Sequence, residues 1–568
     1  MGPGGTRWDP VGPGGTRVGS GWDPVDPRLV RGQVSEVCEP ETGVEKVKRK
    51  WLQRTVWTSF IGFFIVSKYF SVWKAAIASV MELLIISVSC LLLPVARACE
   101  SGSCGDLLQV GLSLHSEAQR AADEHPWPHA RGKVPGQRGT TDVQSRLPGG
   151  KRANWSWHNP AGRWEDMVGG GPVIDKERCM YLMTEHGLWK FSPSGNVLWH
   201  YRTPGKSANE PYLTGDMLLS STTEGNVFAV DRHTGQELWV THVADDAGAD
   251  AAYPAALGGV FVVASSRWKG SSDSAPSEPW GNTQIFGLAV HSGEKLWDFE
   301  SDAVLMDFTP LFPNDDTFVF MSQDGSVYRV GLHNGTLLWK ADSNISDSYS
   351  DGGAVIGPNG VVYACSNIEH GMQGTPGVVR AFTLTSGHLL WEQILKDPCC
   401  TFPAVGHVKG SEALAVVVAA GAWPKEEVDT GSVLALEAET GALLWQFNAE
   451  PYAPPLAAGD EERLAYFHRH PGVSERLLCV LCLPAQWSAP VIAGDGAVYV
   501  GRADGKLYVV HGALIGDEVP ANLTRDPVTG VHALVQSVGS TPVHGALGFA
   551  EGLLAYATCD SLYVWQEP

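Results

Sequence analysis

The stretch Gly225-Asn-Val-Phe-Ala-Val-Asp-Arg-His-Thr-Gly235-Gln-Glu-Leu-Trp239 decides the fold of this chain. A glycine, a second glycine ten positions later and a tryptophan four after that recur at Gly325/Gly335/Trp339, Gly377/Gly387/Trp391 and Gly431/Gly441/Trp445. At Gly293/Trp297 the second half is kept and Thr283 replaces the first glycine; the first copy is shortened to Gly187/Gly195/Trp199. Six copies of one Gly-x-x-x-Trp step mark an internal repeat.

Working outward, each copy follows apolar strand-like runs that open with proline, at Pro172, Pro211, Pro254, Pro310, Pro403, Pro490 and Pro542, with Gly353 in the corresponding place of the fifth unit. That makes eight units, the last two without the Gly-x-x-x-Trp step. Within a unit the alternation predicts four strands, and the Thr-Gly or Ser-Gly before the last is a hairpin turn where glycine supplies positive φ. One such sheet cannot bury both faces, but eight packed radially can, and closure protects their edges. The expected fold is all-β, an eight-bladed β-propeller with four-stranded blades spanning residues 164–568. In that geometry Trp199, Trp239, Trp297, Trp339, Trp391 and Trp445 pack between neighbouring blades.

The run Ala229–Trp239 and its echoes Ala381–Trp391 and Ala435–Trp445 closely resemble the repeat of the pyrroloquinoline-quinone-type (quinoprotein-like) β-propeller family. The resemblance covers about 400 residues and is specific for fold, whereas function lives in sites grafted on a fold. It implies one of several activities: eight-bladed quinoprotein alcohol dehydrogenases, a bacterial outer-membrane-protein assembly lipoprotein without catalysis, or lumenal sensor domains of unfolded-protein kinases. The dehydrogenase reading requires PQQ near the propeller axis, a calcium ion held by carboxylate and amide oxygens, and an Asp base. A ring of adjacent cysteines stacked on the quinone is a feature of many such enzymes. Cys399-Cys400 is a vicinal pair, but it falls between the fifth and sixth units rather than near the propeller's start.

Other catalytic marks are missing. Cys479-Val-Leu-Cys482 is followed by Leu483, so it is no c-type haem attachment, and it lacks the partner spacing of a zinc site. Neither a G-x-S-x-G nor a P-loop motif occurs. The net charge of −21 and the lack of a basic stripe in the body of the chain exclude nucleic acid as a first-choice partner.

Candidate metal ligands stand just before the openers: Glu210, Asp250, Asp307 and Asp351 would form a ring of oxygens around the axis, although such residues more often simply solvate a rim. Three long second-to-third-strand connections, at Ser265–Thr283, Ser366–Pro376 and Ala420–Thr430, place Trp280 and Trp423 as candidate pocket-lining or cofactor-binding aromatics. These long loops and the openers point to one mouth of the ring, where a protein or a small-molecule ligand binds.

The first third of the chain is of another kind. Residues 1–55 form a low-complexity tail, with GPGGTRWDPV near-duplicated at Gly2–Val11 and Gly12–Val25, ending in the basic cluster Lys46, Lys48, Arg49, Lys50 and Arg54. Residues 56–98 read in two ways. Val56–Val72 and Ala75–Ala96 approach the length of a membrane anchor, which would give membrane association through residues 56–96. Starting instead from Met81, the run to Ala98 is a signal peptide ending in Ala96-Arg97-Ala98, with Met1 then belonging to an extension. Residues 99–163 are expected to be an unstructured linker. Both readings send the propeller into the secretory pathway, anchored or secreted, and the sequons at Asn154, Asn334, Asn344 and Asn522 are its glycosylation candidates. Nine of the 11 cysteines follow the apolar run, enough for disulfides with one thiol left over. The sequence therefore favours a non-catalytic, monomeric binding or scaffold propeller, with a PQQ- and calcium-dependent alcohol dehydrogenase as the alternative.

Overall fold

The computed structural model describes residues 125–144, 152–163, 165–207, 209–244, 252–264, 282–305, 307–313, 315–344, 350, 352–368, 375–399, 401–421, 430–452, 457–459, 461, 486–512, 514 and 522–567. The segment read as anchor or signal peptide lies outside them. Among the described residues no helix is long and apolar enough to cross a membrane.

The described strands form eight antiparallel sheets, the blades of an eight-bladed propeller. Blade 1 (168–202), blade 2 (212–242), blade 3 (255–305), blade 5 (354–394) and blade 6 (404–448) each have four strands in chain order. In blade 4 (317–341) the inner strand shrinks to one bridge, Leu311 to Val319. Blade 7 (491–537) carries a fifth, outermost strand, Thr524–Arg525. Blade 8 has three strands of its own (542–566) and takes its outer strand, Trp155–His158, from the other end of the ring. The sequence boundary at residue 164 leaves that strand outside the propeller.

Alternation decides burial. Inner and middle strands such as Val260–Ala264 and Leu553–Thr558 are buried throughout, whereas the outer strand Glu237–His242 alternates exposed and half-buried positions. A bulge between Ala229 and Val230, repeated between Ala381 and Phe382 and between Ala435 and Leu436, sets Trp239, Trp391 and Trp445 opposite an alanine.

Five of the six indoles then meet the turn glycine of the next blade. Trp199 lies on Gly235, Trp239 on Gly293, Trp297 on Gly335, Trp339 on Gly387 and Trp391 on Gly441. These glycines have φ between 65 and 74°, and a Cβ there would stand within 3.0 Å of the ring. Turn geometry and seam packing thus demand the same residue. The indole N–H groups of these five donate to Arg232, Val290, Leu332, Leu384 and Ala438 carbonyls at 2.8–3.1 Å, joining blade to blade.

Candidate functional site at the propeller axis

The axis is reached from one face by residues 125–144, which the sequence assigns to the linker. Two prolines flank Trp127 and glycines punctuate the remainder, so the segment forms no helix or strand of its own but a series of turns, and it hydrogen-bonds to the free edges of the inner strands. Trp127 pairs with Ile174 of blade 1, and Leu213 of blade 2 donates its N–H to Pro128 O at 2.9 Å. His129 Nε2 reaches Tyr253 O ahead of blade 3 at 3.1 Å. The Gln137 amide spans Pro310 O and Phe312 N in blade 4, at 2.7 and 3.1 Å. Arg138 Nε donates to Ile356 O of blade 5, and its carbonyl accepts from Val405 N of blade 6. Gly139, Thr141 and Val143 pair with Ile492 and Gly494 of blade 7. The Trp127 ring packs on Phe549 of blade 8 at a centroid distance of 5.4 Å. One segment touches every blade.

At its tip two buried polar side chains lie next to each other. Arg131 donates to Pro403 O at 2.7 Å and Pro490 O at 3.2 Å, with its guanidinium 5.8 Å from the Phe402 ring centroid. No carboxylate pairs with it among the described residues, and burial pulls its pKa down to about 10. His129 accepts the Arg131 backbone N–H on Nδ1, so its proton sits on Nε2, facing the Tyr253 carbonyl. Burial lowers its pKa to about 4 and keeps the ring neutral.

Beyond the tip the axis is filled by side chains from the starts of the inner strands. Ala130, Tyr253, Phe402 and Ala489 form one apolar cluster, with the Tyr253 and Phe402 rings edge to face at 4.9 Å. Glu210, ahead of blade 2, is buried against the backbones of Gly171 in blade 1 and Gly545 in blade 8. Those backbones approach so closely that a Cβ on Gly171 would overlap Gly545 O, which leaves no room for solvent. Burial pushes the Glu210 carboxyl up to about 8, against weaker hydrogen bonding from the Gly171 and Gly545 backbones, so at neutral pH it is mostly protonated. Asp307, held at φ 46°, has Oδ2 3.7 Å from His544 Nδ1 across the axis, both residues buried.

Of the four acidic candidates, Asp250 and Asp351 lie outside the described residues, as do Cys400, Trp280 and Trp423. Among the described residues no group of three or more His, Cys, Asp or Glu side chains comes together in a way that would hold a metal ion. Cys399 is bonded to Cys365, 34 positions away in blade 5, and Ser350 Oγ donates to the carbonyls of both. A cysteine so bonded cannot close a ring with its neighbour Cys400. Residues fit for PQQ would present a flat slot and charged oxygens. Here the two axial rings meet edge to face, Glu210 is neutral and Cys399 is bonded elsewhere, so the described residues do not fit the quinone and its calcium.

Sequence reasoning missed His129, Arg131, Gln137 and the strand Trp155–His158. A signal for the strand was present: Trp155 lies on Gly195 of blade 1, as five of the repeat tryptophans lie on their glycines, and its N–H donates to Pro193 O at 3.0 Å. It is the tryptophan that unit eight lacks.

The family model described as outer membrane protein assembly factor BamB matches residues 154–303 and 185–373. The outer membrane protein assembly factor BamB of Shewanella oneidensis is 26% identical over 157 residues, 26% of this chain and 36% of that protein. A tetrathionate hydrolase of Acidithiobacillus ferrooxidans is 32% identical over 59 residues, 10% of this chain and 12% of the enzyme. This chain therefore spans about a third or less of the curated relatives it matches. Among solved structures, BamB from Moraxella catarrhalis has a TM-score of 0.48 at 15% identity, covering 73% of this chain and 99% of that one. Quinohemoprotein alcohol dehydrogenase from Comamonas testosteroni has a TM-score of 0.49 at 11% identity, covering 78% and 81%.

Proposed function

We propose that this chain, a propeller of the PQQ-type repeat family, is a non-catalytic scaffold that presents one face to a protein partner in the secretory pathway or at a membrane. The observation that carries the reading is the filled axis. Residues 125–144 occupy it from one side, and Tyr253, Phe402, Glu210 and the Asp307–His544 pair occupy its far end. The matching family model and the Shewanella relative are both named for outer-membrane-protein assembly, which supports a protein rather than a small molecule as partner. The route into the secretory pathway rests on the apolar stretches between Val56 and Ala98.

The competing reading, a PQQ- and calcium-dependent alcohol dehydrogenase, is separated by one assay. The purified protein is incubated with the quinone and Ca²⁺ and supplied with primary alcohols and an artificial electron acceptor. The scaffold reading predicts dye reduction equal to the quinone-free control. Alcohol-dependent reduction above that control contradicts it.

A further inference from the structure

The four sequons sort by position on the ring. Asn154, Asn334 and Asn522 are exposed, and so are the hydroxyl-bearing residues two places on, Ser156, Thr336 and Thr524. The Asn334 Oδ1 accepts Thr336 N at 3.0 Å, and the Asn154 Oδ1 accepts Gln566 N at 2.8 Å. Each of these bonds uses the amide oxygen and leaves Nδ2, the nitrogen a sugar would take, without a partner among the described residues. Asparagines that the fold buries, Asn159, Asn209 and Asn367, lie in no sequon. Asn344 differs: its Nδ2 donates to Asp342 O, and Ser346 lies outside the described residues.

Topology places Asn154 and Asn334 on one face. Asn334 sits in the turn after the third strand of blade 4 (Val327–Gly331), whereas Asn522 directly precedes the outermost strand of blade 7 (Thr524–Arg525), which pairs with Ala533 and His532 and so sets Asn522 at the outer edge of that blade. Asn154 sits beside Gln566, where the third strand of blade 8 (Ser561–Gln566) ends. Inner and third strands of an antiparallel blade run the same way, so they end on the same face. The ends of the inner strands are where residues 125–144 enter: His125 bonds Gly215 O, Arg138 bonds Ile356 O, and Gly494 N bonds Val143 O.

We propose that Asn154, Asn334 and Asn522 carry N-linked glycans, the first two on the face that the chain's own segment closes and the third at the outer edge of blade 7. Two bulky, hydrated chains on that rim deny it to a protein partner and leave docking to the opposite face. This inference rests on the secretory reading above, so the experiment separates the two. The full chain is translated with endoplasmic-reticulum microsomes in an Asn344→Gln background. Protease protection reports entry into the lumen, and an endoglycosidase-reversible gel shift reports acceptor use. The expected result is a protected chain carrying three increments, one lost in each of Asn154→Gln, Asn334→Gln and Asn522→Gln. A protected chain without the shift overturns the glycan assignment and leaves the secretory reading standing. An unprotected chain overturns the secretory reading; the same full chain behind a cleavable signal sequence then decides the acceptors, absence of the shift again counting against them.

Discussion

Two kinds of seam hold this ring. Between blades 1 and 6, and again between blades 8 and 1, an indole from one outer strand lies on a positive-φ glycine of the next blade and donates its N–H to a carbonyl there. Between blades 7 and 8 both halves of the device are missing. The fourth strand of blade 7 (His532–Ser537) has no tryptophan, and the third strand of blade 8 pairs with Trp155–His158 and not with a following strand reached by a hairpin that would supply the glycine. Packing there passes to aromatic contacts nearer the axis, Tyr499 on Phe549 at 5.2 Å and Trp127 on Phe549 at 5.4 Å, the latter from residues 125–144. The difference teaches that the repeat depends on a hairpin. Where no hairpin joins the third strand to the fourth, closure is taken over by strand exchange and by the axial segment.

The sharpest way to break this comparison is to remove the exchanged indole. Trp155→Ala is expected to cost about 3–5 kcal/mol, the range for a large aromatic lost from a packed site, and to match Trp239→Ala within about 1 kcal/mol by denaturant unfolding. A Trp155 effect far below that of Trp239 means that the blade 8 to blade 1 seam does not use the repeat device.

A smaller effect concerns pH. Glu210 lies where blades 1 and 8 touch, and its folded pKa, about 8, is raised above the ordinary 4.5. Its contribution is therefore fully present below pH 4.5 and lost as pH rises through about 8. His129 runs the other way, losing its contribution as pH falls from 6.5 through about 4, so it stays silent above pH 6.5. Between about pH 6.5 and 8 stability should fall by about 1.5–2 kcal/mol from Glu210, and Glu210→Gln should flatten that slope. An unchanged slope in the variant means that the carboxyl is not held protonated at this contact.

The smallest effect sharpens the seam rule itself. Trp445 is buried, as Trp297 is, but its N–H has no hydrogen-bond partner among the described residues. Trp445→Phe should therefore cost less than Trp391→Phe by about 1 kcal/mol, the net worth of one hydrogen bond. Equal losses would remove the indole N–H from the account of these seams.

The blades were legible in the sequence because each seam writes two rare residues at a fixed spacing, Gly235 with Trp239 or Gly441 with Trp445. The axis was not legible. Residues 125–144 bind mainly through backbone groups, as at Pro128, Gly139 and Val143, and backbone pairing leaves no side-chain period. The acidic residues before the openers were visible as a set, but Glu210 and Asp307 prove to be buried, which spacing alone does not report. Likewise the vicinal Cys399-Cys400 drew attention by adjacency, while the bond to Cys365 follows from strands that meet only in the fold.

The central claim is that residues 125–144 complete the inner edges of the ring. Hydrogen–deuterium exchange tests it at four amides that bond to that segment: Leu213 to Pro128 O, Val405 to Arg138 O, Ile492 to Gly139 O and Gly494 to Val143 O. Peptides carrying these amides should exchange as slowly as the fully buried middle strand Leu553–Thr558. Exchange at the rate of free, solvent-exposed amides would show that the axial segment does not occupy the channel, and the account would fail.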